Sequence, residues 1–124
     1  MKDNRFVKGR VKSVFYSVKG AYTLITSEHS IMVQFAIGVL VTIAGFYFGI
    51  SREEWMIQTL AVGMVLAVEG ANTAIEKICD FIHPEFNEKI GFIKDVASGA
   101  VFFVAIAAAI AGIIIYYPKV AGLF

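Results

Sequence analysis

The sequence has a single cysteine, Cys79, so no internal disulfide can form and no Cys-x-x-Cys metal site exists. Cys79 reads as a small packing residue. Charge is also scarce: Asp, Glu, Lys and Arg supply 17% of the residues, where an ordinary soluble domain has about a quarter. The formal net charge of +1 argues against a nucleic-acid binder, because phosphate recognition rests on a strong basic patch that releases counterions. No short apolar stretch follows Met1, so a cleaved signal peptide is not expected. Neither a Gly-x-x-x-x-Gly-Lys loop nor a Gly-x-Gly-x-x-Gly loop occurs, which places any nucleotide site outside the common folds. There is no internal repeat and no low-complexity tract.

Apolar side chains, by contrast, are abundant. They make up 58% of the 124 residues, and the mean hydropathy is +0.73. A chain of this length is one domain, and a small domain buries only part of the surface its unfolded chain exposes. It needs lipid. Residues 31–50 hold no charge, and about 20 such residues span a hydrocarbon core roughly 30 Å thick as a helix. A polar turn, Ser51 to Glu54, precedes Trp55, which suits the membrane interface. A second span is predicted over 55–75, with its helix ending near His83, before Pro84. A third covers 96–117 and stops at Pro118. The expected fold is an all-α membrane protein, a single domain over 1–124, with an N-terminal amphipathic surface helix (1–30) and three transmembrane helices.

The surface helix is read from periodicity. Val7, Val11, Val14, Val18, Ala21, Tyr22 and Ile25 recur at three- and four-residue steps and make one apolar stripe, with Lys8, Lys12 and Lys19 to one side. Such a helix lies among lipid headgroups, either as an anchor or with a more specific task. Glu28 favours the latter: it stands at the end of the stripe with no basic residue nearby in sequence. Nine basic residues fall in the N-terminal segment and the connection after span two, and two, Arg52 and Lys119, fall on the other side. The positive-inside rule then places the N-terminus and the long connection in the cytoplasm.

Span two carries the strongest chemical signal. Glu69, Asn72, Glu76 and Asp80 are spaced by three, four and four residues, so on a helix they share a face within about 80°. Glu69 falls about 21 Å from Trp55 along the helix, toward the cytoplasmic leaflet. A carboxylate at that depth is costly and usually faces a protein interior or a hydrated cleft. One hydrogen-bonded pair fixing helix packing would account for one acid, but here there are three, and Glu28 besides. Stacked carboxylates repel unless a cation or proton intervenes, and hard cations such as Mg²⁺ take oxygen ligands, usually together with substrate phosphates. A partly buried carboxylate also suits a general base for an alcohol, and Glu69 fits by depth. Lys94 and Asp95 follow at the start of span three, where a lysine can meet phosphate oxygens.

Glu69-Gly-Ala-Asn72-Thr-Ala-Ile-Glu76-Lys-Ile-Cys-Asp80, followed by Lys94-Asp95-Val-Ala-Ser98, resembles the signature of the prokaryotic diacylglycerol kinase and undecaprenol kinase family. The likeness runs from Tyr16-Ser17 and Glu28 into span three. These are trimeric three-span lipid kinases of the bacterial inner membrane with an N-terminal surface helix. The resemblance implies Mg²⁺ with ATP as cofactor and substrate, and a membrane lipid alcohol, diacylglycerol or undecaprenol, as acceptor. It implies Glu69 as catalytic base, and Glu28 and Glu76 as metal ligands. Asn72, Lys94 and Asp95 would position phosphates, Tyr16, Glu85 and Asn87 would lie near the nucleotide, and Ser98 would lie near the lipid hydroxyl.

Three positions depart from the family pattern. Gly70 and Ala71 replace a common bulky aliphatic pair, which predicts closer helix packing, and Gln34 stands where a histidine or acid is frequent. The segment from Gly45 to Trp55 and the closing Tyr-Tyr-Pro118-Lys look like the undecaprenol kinases, whereas Ser17-Val-Lys19-Gly20 looks like the diacylglycerol kinases, so the lipid stays open. Ser98, Val101, Ala105, Ala108 and Gly112 form a mostly small-residue seam on span three, and Gly63 and Ala67 add a pair on span two. Such seams let helices approach closely, and a homo-oligomer is expected. Two rival readings are an oligomeric channel or transporter subunit with an acid-lined path, and a structural subunit whose polar residues only join helices.

Overall fold

In the computed structural model, which describes residues 2–124, four helices follow one another: α1 (Lys2–Ser27), α2 (His29–Phe48), α3 (Arg52–Ile82) and α4 (Glu88–Ala121). No strand occurs among the described residues. The side chain of Lys2, one of the basic residues counted above, lies outside them.

Helices α1 and α2 are nearly continuous. Glu28 alone is extended, with φ −109° and ψ 116°, yet its N–H still bonds to the Leu24 carbonyl and its carbonyl accepts from Met32. One residue thus bends the chain and sets an acid at the bend. From residue 4 to residue 23 α1 is exposed on every side, so its valine stripe meets no other part of the chain.

At the far end of α2, Gly49 takes the left-handed conformation (φ 59°) and caps the helix through N–H bonds to Gly45 and Phe46, as glycine does most readily. The polar turn expected at Ser51 to Glu54 is in fact the start of α3. Ser51 is the N-cap, its hydroxyl accepting from the Glu54 N–H while the Glu54 carboxylate accepts from the Ser51 N–H. This reciprocal capping box satisfies two donors that a helix start leaves orphaned. Gly45 gives Trp55 room to lie against α2, where the indole tilts over Phe46 with ring centroids 4.8 Å apart.

Helix α3 ends at His83, as the sequence predicts. Helix α4 departs from expectation at Pro118, which lies inside it. A proline removes one N–H donor, but so near the end the next turn closes without it: the Gly122 N–H reaches the Pro118 carbonyl at 3.1 Å.

Helices α2 and α4 are each long and apolar enough to cross a membrane. Their large apolar side chains, Phe46, Phe103 and Ile114 among them, point outward, which no soluble core would allow. This is a membrane protein. Helix α3 is less apolar because of its polar wall, and it packs between the other two, most extensively along α4.

Candidate active site

The polar wall of α3 turns one carboxylate inward. Glu69 is buried at 8% exposure and lies in line with buried Val65 and Thr73. One turn on, Asn72 Nδ2 donates to Glu76 Oε1 at 3.3 Å. The Asn72 Oδ1 is buried without a partner, an unusual state for a buried acceptor and a sign that something else completes it. Gly70 accounts for what closes over this region: the Leu24 side chain of α1 sits 3.0 Å from where a Cβ would stand. The closer packing predicted for Gly70 is present, and it joins α1 to α3 beside Glu69.

The remaining acids have basic partners that sequence separation hides. Glu28, which has no basic residue nearby in sequence, meets Lys77 at 3.5 Å, because the bend after α1 brings it against the turn of α3 that also bears Glu76. Asp80 meets Lys94 of α4 at 2.6 Å, and this carboxylate holds the Lys94 ammonium above its usual range. The structure therefore places Glu69, Asn72 and Glu76 on the C-terminal half of α3, with Glu28 drawn to that half through Lys77 and Lys94 through Asp80.

Other sequence candidates lie elsewhere or do other work. Asn87 caps α4, its Oδ1 accepting from the N–H groups of Lys89 and Ile90. The Glu85 carbonyl accepts from His83 Nδ1 at 2.8 Å, steadying the loop. Asp95 and Ser98 are exposed on α4 just past Lys94. Tyr16 is 65% exposed on α1, about three turns before Glu28, with Phe15 as its aromatic neighbour. Among the described residues no three carboxylate, histidine or cysteine side chains converge as a metal cage. The unpartnered Asn72 Oδ1 and the Glu76 carboxylate suit instead a hard cation that arrives with a phosphate, since Mg²⁺ is commonly held by one or two carboxylates and the substrate's own oxygens.

A second polar cluster, at the opposite end of the spans, was not anticipated. Gln58 is buried at 6% exposure. Its Nε2 donates to the Val41 carbonyl at 3.0 Å, and its Oε1 accepts from the Tyr116 hydroxyl, which also lies 2.9 Å from the Val41 carbonyl. Just beyond, Lys119 pairs with Glu54 at 2.8 Å. The lone amide in the apolar stretch after Trp55 was the available signal.

The chain is thus a helical membrane protein with an inward carboxylate, an amide-bound second carboxylate and a lysine from the next helix paired to an acid. The model of the family described as prokaryotic diacylglycerol kinase matches residues 15–116, and the chain belongs to that family. It is 34% identical over 116 residues to the undecaprenol kinase of Bacillus subtilis, covering 94% of this chain and 91% of that protein. It is 29% identical over 104 residues to the diacylglycerol kinase of Haemophilus influenzae, covering 84% and 86%.

Proposed function

We propose that the chain moves the γ-phosphoryl group of magnesium-ATP onto the hydroxyl of a membrane lipid alcohol, diacylglycerol or undecaprenol, at the cytoplasmic face of a bacterial inner membrane. The observation that carries this reading is the buried Glu69 carboxylate one turn from the Asn72–Glu76 pair. Membership of a kinase family and the names of the two relatives support it, and of these two the undecaprenol kinase shares more identity.

In this reading Glu69 accepts the proton of the lipid hydroxyl, and its burial among apolar residues keeps competing water away. Glu76 and Glu28, with Asn72 Oδ1, would hold the cation, which when bound would supply positive charge to the phosphate oxygens. Asn72 Nδ2 fixes the Glu76 rotamer. Lys94 passes from Asp80 to a phosphate oxygen, and Asp95 lies next to it. Tyr16, Glu85 and Asn87 border the nucleotide, and Ser98 lies near the lipid hydroxyl. Phosphoryl transfer asks little covalent chemistry of a protein and depends on such positioning.

Helix α3 is the third span in this reading. Its length, about 46 Å at 1.5 Å per residue, exceeds the hydrocarbon core, and the charge distribution sets its polar end and the exposed α1 on the cytoplasmic side. Three spans are few to enclose a site, and Gly63 and Ala67, exposed on α3, offer a close-approach face for further copies, by family likeness in a trimer.

The test is to incubate the detergent-purified protein with magnesium-ATP and, separately, diacylglycerol, undecaprenol and glycerol. Phosphorylated lipid is the expected product. No lipid product, or equal turnover of glycerol, would overturn the reading.

A further inference from the structure

Between the two polar clusters the helices do not close on one another. Helices α2, α3 and α4 leave a cavity of about 370 Å³, within the size range of natural small-molecule sites. Its origin is in the sequence of α4, which presents Ala105, Ala108 and Gly112 to the cavity where larger aliphatic residues would pack it shut. These three belong to the small-residue seam expected to face another copy, and the structure turns them toward the chain's own α2 and α3. Protein interiors rarely leave a void larger than a water molecule, and an apolar one does not hold water well. A hydrocarbon chain suits it.

The two ends of the cavity differ. At one end Val65 of α3 lines it, and Glu69 lies one turn further along the same buried face. At the other end Gln58 and Tyr116 line it, hydrogen-bonded to each other and to Val41. Phe48 lies edge-on to Tyr116, and the Lys119–Glu54 pair lies beyond. Because the Gln58 carbonyl and the Tyr116 hydroxyl are already bonded, a hydrocarbon can end against them without orphaning a polar group. From Gln58 to Glu69 is about 16 Å along the helix.

We infer that this cavity is a slot for one hydrocarbon chain of the lipid whose hydroxyl reacts at Glu69, and that Gln58 and Tyr116 are the stop at its end. The assignment of the reacting end rests on the lipid-kinase reading above. Val65 lines the slot and Glu69 follows it by one turn on the same buried face, and this nearness to the reacting group favours a lipid chain over a helix of a second copy. Bilayer tails are as apolar as the slot, so entry is governed by packing rather than by the hydrophobic effect. Discrimination should therefore be steric, and filling the slot should matter more than changing its polarity.

The test uses the full chain in mild detergent, irradiated with a diacylglycerol that carries a diazirine at the end of one acyl chain, with adducts mapped by mass spectrometry. Adducts are expected on Gln58, Tyr116 and Gly112, reduced at least fivefold in Ala108→Leu and, as an independent variant, in Ala105→Leu. In the same variants the KM for a long-chain diacylglycerol should rise about tenfold while the KM for ATP stays within twofold. Adducts confined to outward residues such as Phe103 and Ile113 overturn the slot, and so does a crosslink showing a second copy's helix within it. Labelling requires no turnover, so absence of phosphorylated lipid from the unaltered protein would sink the kinase reading while the adduct map still decides the slot.

Discussion

Asn72 spends its amide nitrogen on Glu76 one turn away, at 3.3 Å, and leaves its amide oxygen buried without a partner. The two halves of one side chain thus serve different neighbours: one fixes a carboxylate and the other is free for a cation or a phosphate-bound group. Hydrogen bonds to charged groups contribute about 1.5–3 kcal/mol. Asn72→Ala is expected to weaken magnesium-ATP binding by roughly tenfold or more, with helix content by circular dichroism unchanged. Calorimetric titration of the purified variant with magnesium-ATP measures it, and unaltered affinity would remove Asn72 from the binding site.

Gly45 and Trp55 test how the end of α2 and the start of α3 are held together. A Cβ at residue 45 would lie 2.6 and 2.8 Å from the Trp55 ring and 3.1 Å from Ile50. The ring cannot withdraw without losing its contact with Phe46. Gly45→Ala should therefore lower stability by about 1–3 kcal/mol, the usual cost of overpacking. Gly9→Ala is the control, since a Cβ there meets nothing within 4 Å. Thermal unfolding in detergent should separate the two, and equal midpoints would show that the contact is not tight.

Much of this site was legible in the sequence because helical spacing is a local property. Glu69, Asn72, Glu76 and Asp80 lie on one face for any α-helix that contains them, and burial of Glu69 follows from its depth in an apolar run. The partners were not legible. Lys77 belongs to the same helix as Glu76, yet which carboxylate it meets depends on the bend at Glu28, and that bend is a single extended residue without a proline or glycine to announce it. Gln58 and Tyr116 are 58 positions apart, and only the packing of α4 along α3 brings them together. Pro118 misled for a different reason: a proline removes its own N–H and crowds the carbonyl four residues back, but the N–H groups after it can still bond, and the Gly122 N–H does so to the Pro118 carbonyl.

The Lys119–Glu54 pair makes the junction between the start of α3 and the end of α4 sensitive to acid. The Lys119 ammonium, hydrogen-bonded to the Glu54 carboxylate, with help from the Ser51 N–H, holds Glu54 below its ordinary value of 4.5. With a lowered pKa in the folded chain, the unfolded chain binds the proton more readily, so the pair's contribution is complete above that ordinary value. It is lost as pH falls through the depressed one. Unfolding midpoints should thus be level above about pH 5 and decline below it. Glu54→Gln should be less stable at neutral pH and show a shallower acid decline. An identical acid decline in both proteins would show that Glu54 has no part in it.

The division of labour between Glu69 and the other acids is the most direct test of mechanism. Glu69 is buried and forms no ion pair among the described residues, whereas Glu28 and Glu76 lie beside Lys77 and Asn72. A base and a metal ligand should fail differently when each loses its charge. Glu69→Gln keeps the shape but cannot take a proton, so turnover should fall by roughly 10²-fold or more with magnesium-ATP affinity little changed. Glu76→Gln and Glu28→Gln should instead weaken magnesium-ATP binding and raise the magnesium concentration needed for the remaining rate. Of the two, Glu28→Gln also releases Lys77, whose exposed ammonium then gains freedom, so its effect on affinity should be the smaller because an exposed ion pair contributes little. Nucleotide titration, magnesium dependence and lipid phosphorylation on the same three purified variants supply the measurements. Normal turnover by Glu69→Gln, or equal loss of nucleotide binding in all three, would show that the roles are not divided this way.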